Sequence, residues 1–217
     1  MKHFTLIPAL LALLFAGNAF AQAGGSYEQG LKMVRSGQWS AALGEFVPLA
    51  EEGHAASQFS VGLIHHLGRG VRQDLEEAYS WYKKSAMQEH PPAVNNIGMM
   101  YLNGEYVAQN REVAFKLFLK ASETHAQAKD NLAQCHEKGW GTPQDGDKAI
   151  AMYIKAGEQG YILGWHHLAQ LYEQGRAGVP ADLDKAVEWY IKAAEKSFTK
   201  SRRKLVNLGR LPDHLKK

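Results

Sequence analysis

Two adjacent histidine pairs, His65-His66 and His166-His167, and the Cys135-His136 step are the residues of this chain best suited to holding a metal ion or activating a nucleophile. A further candidate is "GRGVRQDLEEA", Gly68 to Ala78, where two glycines and two arginines precede a helix start in the manner of an anion-binding loop. Each has a plainer reading. Neighbouring residues on a helix point about 100° apart, so neither pair converges readily on one ion. Whether the glycine loop is a phosphate cradle depends on whether it occurs once or many times.

It recurs. Gly62, Gly98, Ala133 and Ala169 are spaced 36, 35 and 36 residues apart, and Ala42, Ala78, Ala114, Ala149 and Ala186 are spaced 36, 36, 35 and 37. Each period reads as a helix A, a glycine-bearing loop and a helix B. The loops are "LGRGVRQD", "NGEYVAQN", "KGWGTPQD" and "QGRAGVPAD", and two of the four lack the paired glycine. What persists is a helix-ending glycine (Gly68, Gly104, Gly139, Gly175) and, four residues before the alanine, Asp74, Asn110, Asp145 or Asp182. Those are the side chains that cap a helix start, and Asp74 with Glu77 has the spacing of a capping box. Large residues follow each alanine at plus three and plus four, as in Trp81-Tyr82, Met152-Tyr153 and Trp189-Tyr190, and small ones at plus eight: Ala86, Ser122, Gly157 and Ala194. That stripe of bulk and clearance lets successive hairpins stack.

In this register His65 and His136 stand where Tyr101 and Tyr172 stand in the sister periods, which makes them members of a partly buried ring. Cys135 takes the place of Ile64, Met100 and Leu171, so a buried, inert thiol is expected; as the single cysteine it can form no internal disulfide.

The pattern, fullest in "AVEWYIKAAEKS" and "GRGVRQDLEEAYSWYKKSA", resembles the Sel1-like repeat of the tetratricopeptide superfamily. The resemblance implies an all-α, right-handed solenoid of about five helix-turn-helix hairpins. The expected organisation is a leader over residues 1–21, a tetratricopeptide-like capping repeat over 22–55, four Sel1-like repeats over 56–200 and a basic capping helix and tail over 201–217. It also implies a non-catalytic adaptor or scaffold; exported relatives of this kind assemble envelope machines such as flagellar motor accessories, polysaccharide export scaffolds and sensor regulators. Cysteine-rich members from Helicobacter are associated with β-lactams, but their paired cysteines have no counterpart in this chain. No cofactor, metal or catalytic residue is expected.

The partner-binding expectation falls on helix A, on the positions minus three, plus one and plus four from the central small residue. In the N-terminal half these are Phe59, Leu63, His66, Asn95, Met99 and Leu102; in the C-terminal half, Asp130, Gln134, Glu137, His166, Gln170 and Glu173. As a groove lining they would offer apolar anchors at one end and acids at the other, fitting a segment with an apolar and a cationic end. The same stripe is equally readable as core. The loop aromatics Tyr106 and Trp140 are either contact points or packing.

The start "MKHFTLIPALLALLFAGNAFAQ" has the basic, apolar and small-x-small succession of a secretory leader, with cleavage expected near Ala21-Gln22 and a periplasmic or secreted product that does not span a membrane. The formal net charge is +3, yet from Thr199 onward seven basic residues face Asp213 alone, leaving an acidic body. The basic end either solvates the last helix or touches an anionic surface, which keeps an envelope glycan or peptidoglycan binder as the alternative. Nucleic acid is not an expected partner of an exported protein.

Overall fold

The computed structural model describes residues 26–216; the expected leader over 1–21 lies outside them. Among the described residues there are eleven α-helices, one 3-10 turn and no strand. The chain divides into two compact units, Met1–Gln109 and Asn110–Lys217.

The first unit holds α1 (Ser26–Arg35), α2 (Trp39–Glu51), α3 (Ala55–Leu67), α4 (Leu75–Met87) and α5 (Pro91–Asn103), each packed on the next. Phe46, Leu63, Ile64, Tyr82 and Met100 are fully buried, and each aliphatic or Phe side chain so removed from water contributes roughly 1.5–3 kcal/mol. Small residues on helix A set how closely the helices approach. An ideal Cβ on Gly62 would lie 2.8 Å from Tyr82 Cδ1, and one on Gly30 would lie 2.4 Å from Phe46 Cε1.

The second unit holds α6 (Arg111–Ala121), α7 (Ala126–Lys138), α8 (Gly146–Glu158), α9 (Leu163–Gln174), α10 (Leu183–Glu195), α11 (Thr199–Asn207) and the 3-10 turn Asp213–Leu215. Tyr153, Leu168 and Leu171 centre one apolar cluster; Tyr190, Ala194 and Leu205 centre another. The clearance expected at plus eight is real at Gly157, where an added Cβ would meet Trp165 Nε1 at 2.1 Å. The closing helix is not merely a polar lid: Ser201 and Leu205 of α11 are fully buried, and Leu208, Leu211 and Leu215 beyond it fold back onto the second cluster.

The helix ends follow the repeated loop. Asp74, Asn110, Asp145 and Asp182 each accept a hydrogen bond from the backbone N–H three residues on, at 2.9–3.0 Å, and Gly68, Gly104, Gly139 and Gly175 end the A helices at φ 61–71°, a region that only glycine takes without strain. The capping box expected of Asp74 and Glu77 does not close. The Asp74 N–H donates instead to the His65 carbonyl at 3.1 Å, and the Glu77 carboxylate accepts from Trp81 Nε1 at 2.6 Å. The same backbone bond recurs from Asp145 to His136 and from Asp182 to Tyr172, so the donor a capping box would satisfy is already taken by the end of helix A.

A second device accompanies three of the caps. The glutamine before each of three caps reaches back to the helix A terminus: Gln73 Nε2 donates to the His66 carbonyl, Gln109 to Leu102 and Gln144 to Glu137, at 2.7–2.8 Å. Those carbonyls would otherwise be orphans of the last turn. The signal was present as Q-D, Q-N, Q-D; the last loop has Ala181 at that place.

Candidate partner-binding site

In the first unit, Met99 and Leu102 are half-buried on α5, while Phe59, Leu63, His66 and Asn95 are buried. The last four therefore do not line an open face. Position minus three is covered by packing, because a helix inside a stack is enclosed on more than one side, as α3 is by both α2 and α4. His66 is instead the middle of a polar chain. Its Nδ1 lies 3.3 Å from the Tyr82 hydroxyl and its Nε2 lies 3.1 Å from Glu105 Oε2, while Asn103 donates to Glu105 Oε1 at 3.0 Å. The hydrogen bond from His66 holds the Glu105 carboxyl below the usual carboxylate range.

In the second unit the acids expected to meet a cationic partner are met within the chain. Asp130, 1% exposed, has Oδ1 2.8 Å from His167 Nδ1 and Oδ2 accepting from Gln134 Nε2 at 2.9 Å. Glu137, 3% exposed, accepts from the Tyr153 hydroxyl at 2.6 Å and lies 3.0 Å from Arg176 Nη1. Glu173 accepts from Tyr190 at 2.8 Å and pairs with Lys204 at 2.7 Å. His166 is buried between Phe198 and Tyr190, with Nδ1 2.9 Å from Ser201 Oγ, and burial lowers its pKa to about 4. Asp130, Glu137 and His166 are thus corrected from groove residues to interior ones. Gln134, Gln170 and Glu173 keep partial exposure.

The sequence held a signal for this arrangement. Where helix B carries a tyrosine four after the alanine (Tyr82, Tyr153, Tyr190), helix A carries His66, Glu137 or Glu173 at plus four; where it carries Phe46 or Phe118, helix A carries Val34 or Leu102. The acids are there because a buried phenol needs an acceptor.

The remaining chemistry candidates are structural. Cys135 is fully buried and its thiol is pushed up to about 12 by burial, the opposite of a reactive cysteine. His136 is buried, stacked edge-on against Phe115 at 5.6 Å. Among the described residues no group of three metal-ligating side chains is assembled. Trp140 is half-buried, with the Lys138 ammonium 4.3 Å from its ring centroid. Tyr106 is 51% exposed, at a φ of 63°.

Stacked A–B hairpins with this loop match the family model "Sel1 repeat" over residues 55–90, 91–123, 126–161 and 166–198. The chain belongs to the Sel1 repeat family. Its α-solenoid fold is that of the crystal structure of a Sel1 repeat protein from Oxalobacter formigenes, at a TM-score of 0.73 and 31% identity, over 86% of this chain and 78% of that one. Among curated relatives, DAP3-binding cell death enhancer 1 of Mus musculus is 29% identical over 187 residues, 69% of this chain and 36% of its own length. Chitin synthase regulatory factor 3 of Schizosaccharomyces pombe is 26% identical over 137 residues, 59% of this chain and 15% of its length. The chain thus spans about a third or less of these curated relatives. Sel1 repeats mediate protein–protein interaction, and the fold is typically a non-catalytic scaffold. Among the described residues no helix is long and apolar enough to cross a membrane.

Proposed function

We propose that this protein is an exported, non-catalytic adaptor that binds a segment of an envelope protein on the faces left open on its A helices. The carrying observation is the contrast between the two sets of side chains on those helices. In the first unit His66 is buried in bonds to its own unit while Met99 and Leu102 keep partial exposure; in the second, Asp130, Glu137 and His166 are buried in such bonds while Gln170 keeps partial exposure. Half-buried Met and Leu on one helix of the first unit suit an apolar anchor of a partner.

The leader-like residues 1–21 support the envelope setting. A relative named for regulating chitin synthase supports, among adaptor roles, one that controls an enzyme by docking onto it. The periplasmic side of a polysaccharide-producing or sensory assembly is the setting proposed here. Crosslinking in intact cells, followed by purification of the tagged full-length chain, tests the reading. A specific set of envelope proteins is expected, reduced by Met99→Glu with Leu102→Glu at unchanged melting temperature. Recovery in the cytoplasmic fraction, or a set of partners indifferent to both substitutions, would refute it.

A further inference from the structure

Three tyrosines of the first unit stand together at one point of its surface. The Tyr79 hydroxyl on α4 lies 3.4 Å from that of Tyr101 on α5, and the Tyr79 and Tyr106 rings lie 5.4 Å apart at 47°. Tyr106 belongs to the loop after α5 and is 51% exposed. Its position is the second glycine of the G-x-G loop: Gly70 and Gly141 are its counterparts, at φ 75° and 70°. Those glycines are needed, since a Cβ at Gly70 would meet Ser40 N at 2.7 Å and one at Gly141 would meet Arg111 O at 2.2 Å. Tyr106 takes the same left-handed backbone at φ 63°, at a cost a glycine would not incur, and places half a phenol ring in water.

The two charged groups that bear on the ring are both carboxylates. Desolvation, and after it the Glu76 and Asp74 carboxylates, raise the Tyr106 phenol above its ordinary value. Aromatic faces with carboxylates beside them attract cations, since the ring quadrupole and the acids act in the same direction.

We propose that Tyr106, Tyr79 and Tyr101, with Glu76, form a docking point for an arginine or lysine side chain of a protein partner. This deepens the adaptor reading and rests on it: the cationic end of the bound segment belongs beside α4 and the loop after α5 in the first unit, and not on Glu137 and Glu173, whose charges are already met. A neutral glycan stacking on the same rings is the competing occupant.

The test uses the full-length protein and two peptides, acetyl-Gly-Arg-Gly-Arg-Gly-amide and the same peptide with citrulline for arginine, followed by tyrosine ring NMR shifts and calorimetry. The arginine peptide is expected to shift Tyr106 and Tyr79 and to bind at least about tenfold more tightly than the citrulline one. Tyr106→Gly restores the sister-loop residue, so its melting temperature should hold or rise while binding falls about tenfold; Glu76→Gln should weaken binding severalfold. Equal binding of both peptides, indifference to Tyr106→Gly, or the same shifts with an N-acetylglucosamine oligomer and not with the arginine peptide overturns the proposal. Should the peptide fail while crosslinking still retains envelope proteins through Met99 and Leu102, only the cation site falls and the adaptor reading stands.

Discussion

The Tyr153 hydroxyl donates a 2.6 Å hydrogen bond to Glu137 Oε2 inside the second unit, and Arg176 Nη1 lies 3.0 Å from the other carboxylate oxygen. The carboxylate is 3% exposed, so its interactions are those of an interior pair and not of a surface that waits for a ligand. A buried acid of this kind is costly to disturb from one side only.

Glu137→Lys should therefore act on stability before it acts on binding. It places an ammonium beside Arg176 in the interior, and a loss above about 3 kcal/mol is expected in urea denaturation. Tyr153→Phe removes one hydrogen bond to a charged acceptor and should cost about 1.5–3 kcal/mol. A Glu137→Lys protein as stable as the parent would show that the carboxylate is solvated in solution.

Stability should fall with acid across the window set by two histidines. Burial lowers His125 and His166 to about 4 from the ordinary 6.5. Between those values the unfolded imidazoles bind protons that the folded ones refuse, so stability rises with pH through that window and is lost as pH falls toward 4. Each group's contribution is fully present above pH 6.5, and its loss on the way to pH 4 is on the order of 3 kcal/mol. Urea melts at pH 7, 6, 5 and 4 measure it, and His166→Phe should flatten the slope.

Two glycines with left-handed backbones should respond unequally to alanine. At Gly178, φ 78°, an added Cβ meets nothing within 4 Å, whereas at Gly141, φ 70°, it would stand 2.2 Å from the Arg111 carbonyl oxygen. Gly178→Ala is expected to cost about 1 kcal/mol, the conformational term alone. Gly141→Ala adds a clash with backbone and should lower the melting temperature much further. Equal effects on thermal unfolding would contradict the close approach.

The Cys135 thiol should be silent in the folded protein. Full burial and a pKa pushed up to about 12 leave little thiolate. Labelling with a disulfide reagent should wait for unfolding and track the urea transition; rapid labelling of native protein would be the contrary result.

Removing the glutamine clamp isolates its contribution to the loop. Gln144→Ala leaves the Glu137 carbonyl without its 2.7 Å side-chain donor, and a loss of about 1 kcal/mol is expected, similar to that of the neighbouring cap substitution Asp145→Ala. The double substitution should be close to additive if clamp and cap act on different helices.

The period, the hairpins, the caps and the inert cysteine were legible because each rests on a local rule repeated in register. Asp74 and its counterparts cap helices wherever they fall, and Gly68 ends one by its own backbone preference. The exposed face was less legible. Phe59 and Asn95 share a helix face with Leu63 and Met99, and periodicity cannot say on how many sides a helix in a stack is covered. Glu137 and Glu173 read as free acids because their partners, Tyr153, Arg176, Tyr190 and Lys204, come from other elements. The matching of tyrosine with His or Glu, and of phenylalanine with Val or Leu, was readable at 36-residue spacing, but only by comparing two columns at once. Tyr106 is visible in the sequence as a loop aromatic, but its neighbours Tyr79 and Tyr101 come from two different helices, and no spacing rule joins them.

The phenol-to-acceptor pairing also constrains how such an array can grow. A gene duplication that copied α4 beside a helix bearing leucine at plus four would strand the Tyr82 hydroxyl in a dry interface, and one that set Phe118 against Glu137 would leave a buried carboxylate without its phenol donor. Recombination between repeats is therefore keyed: hairpins are interchangeable in outline, but only those carrying matched partners can become neighbours, which gives the order of the repeats a memory that their shared shape does not.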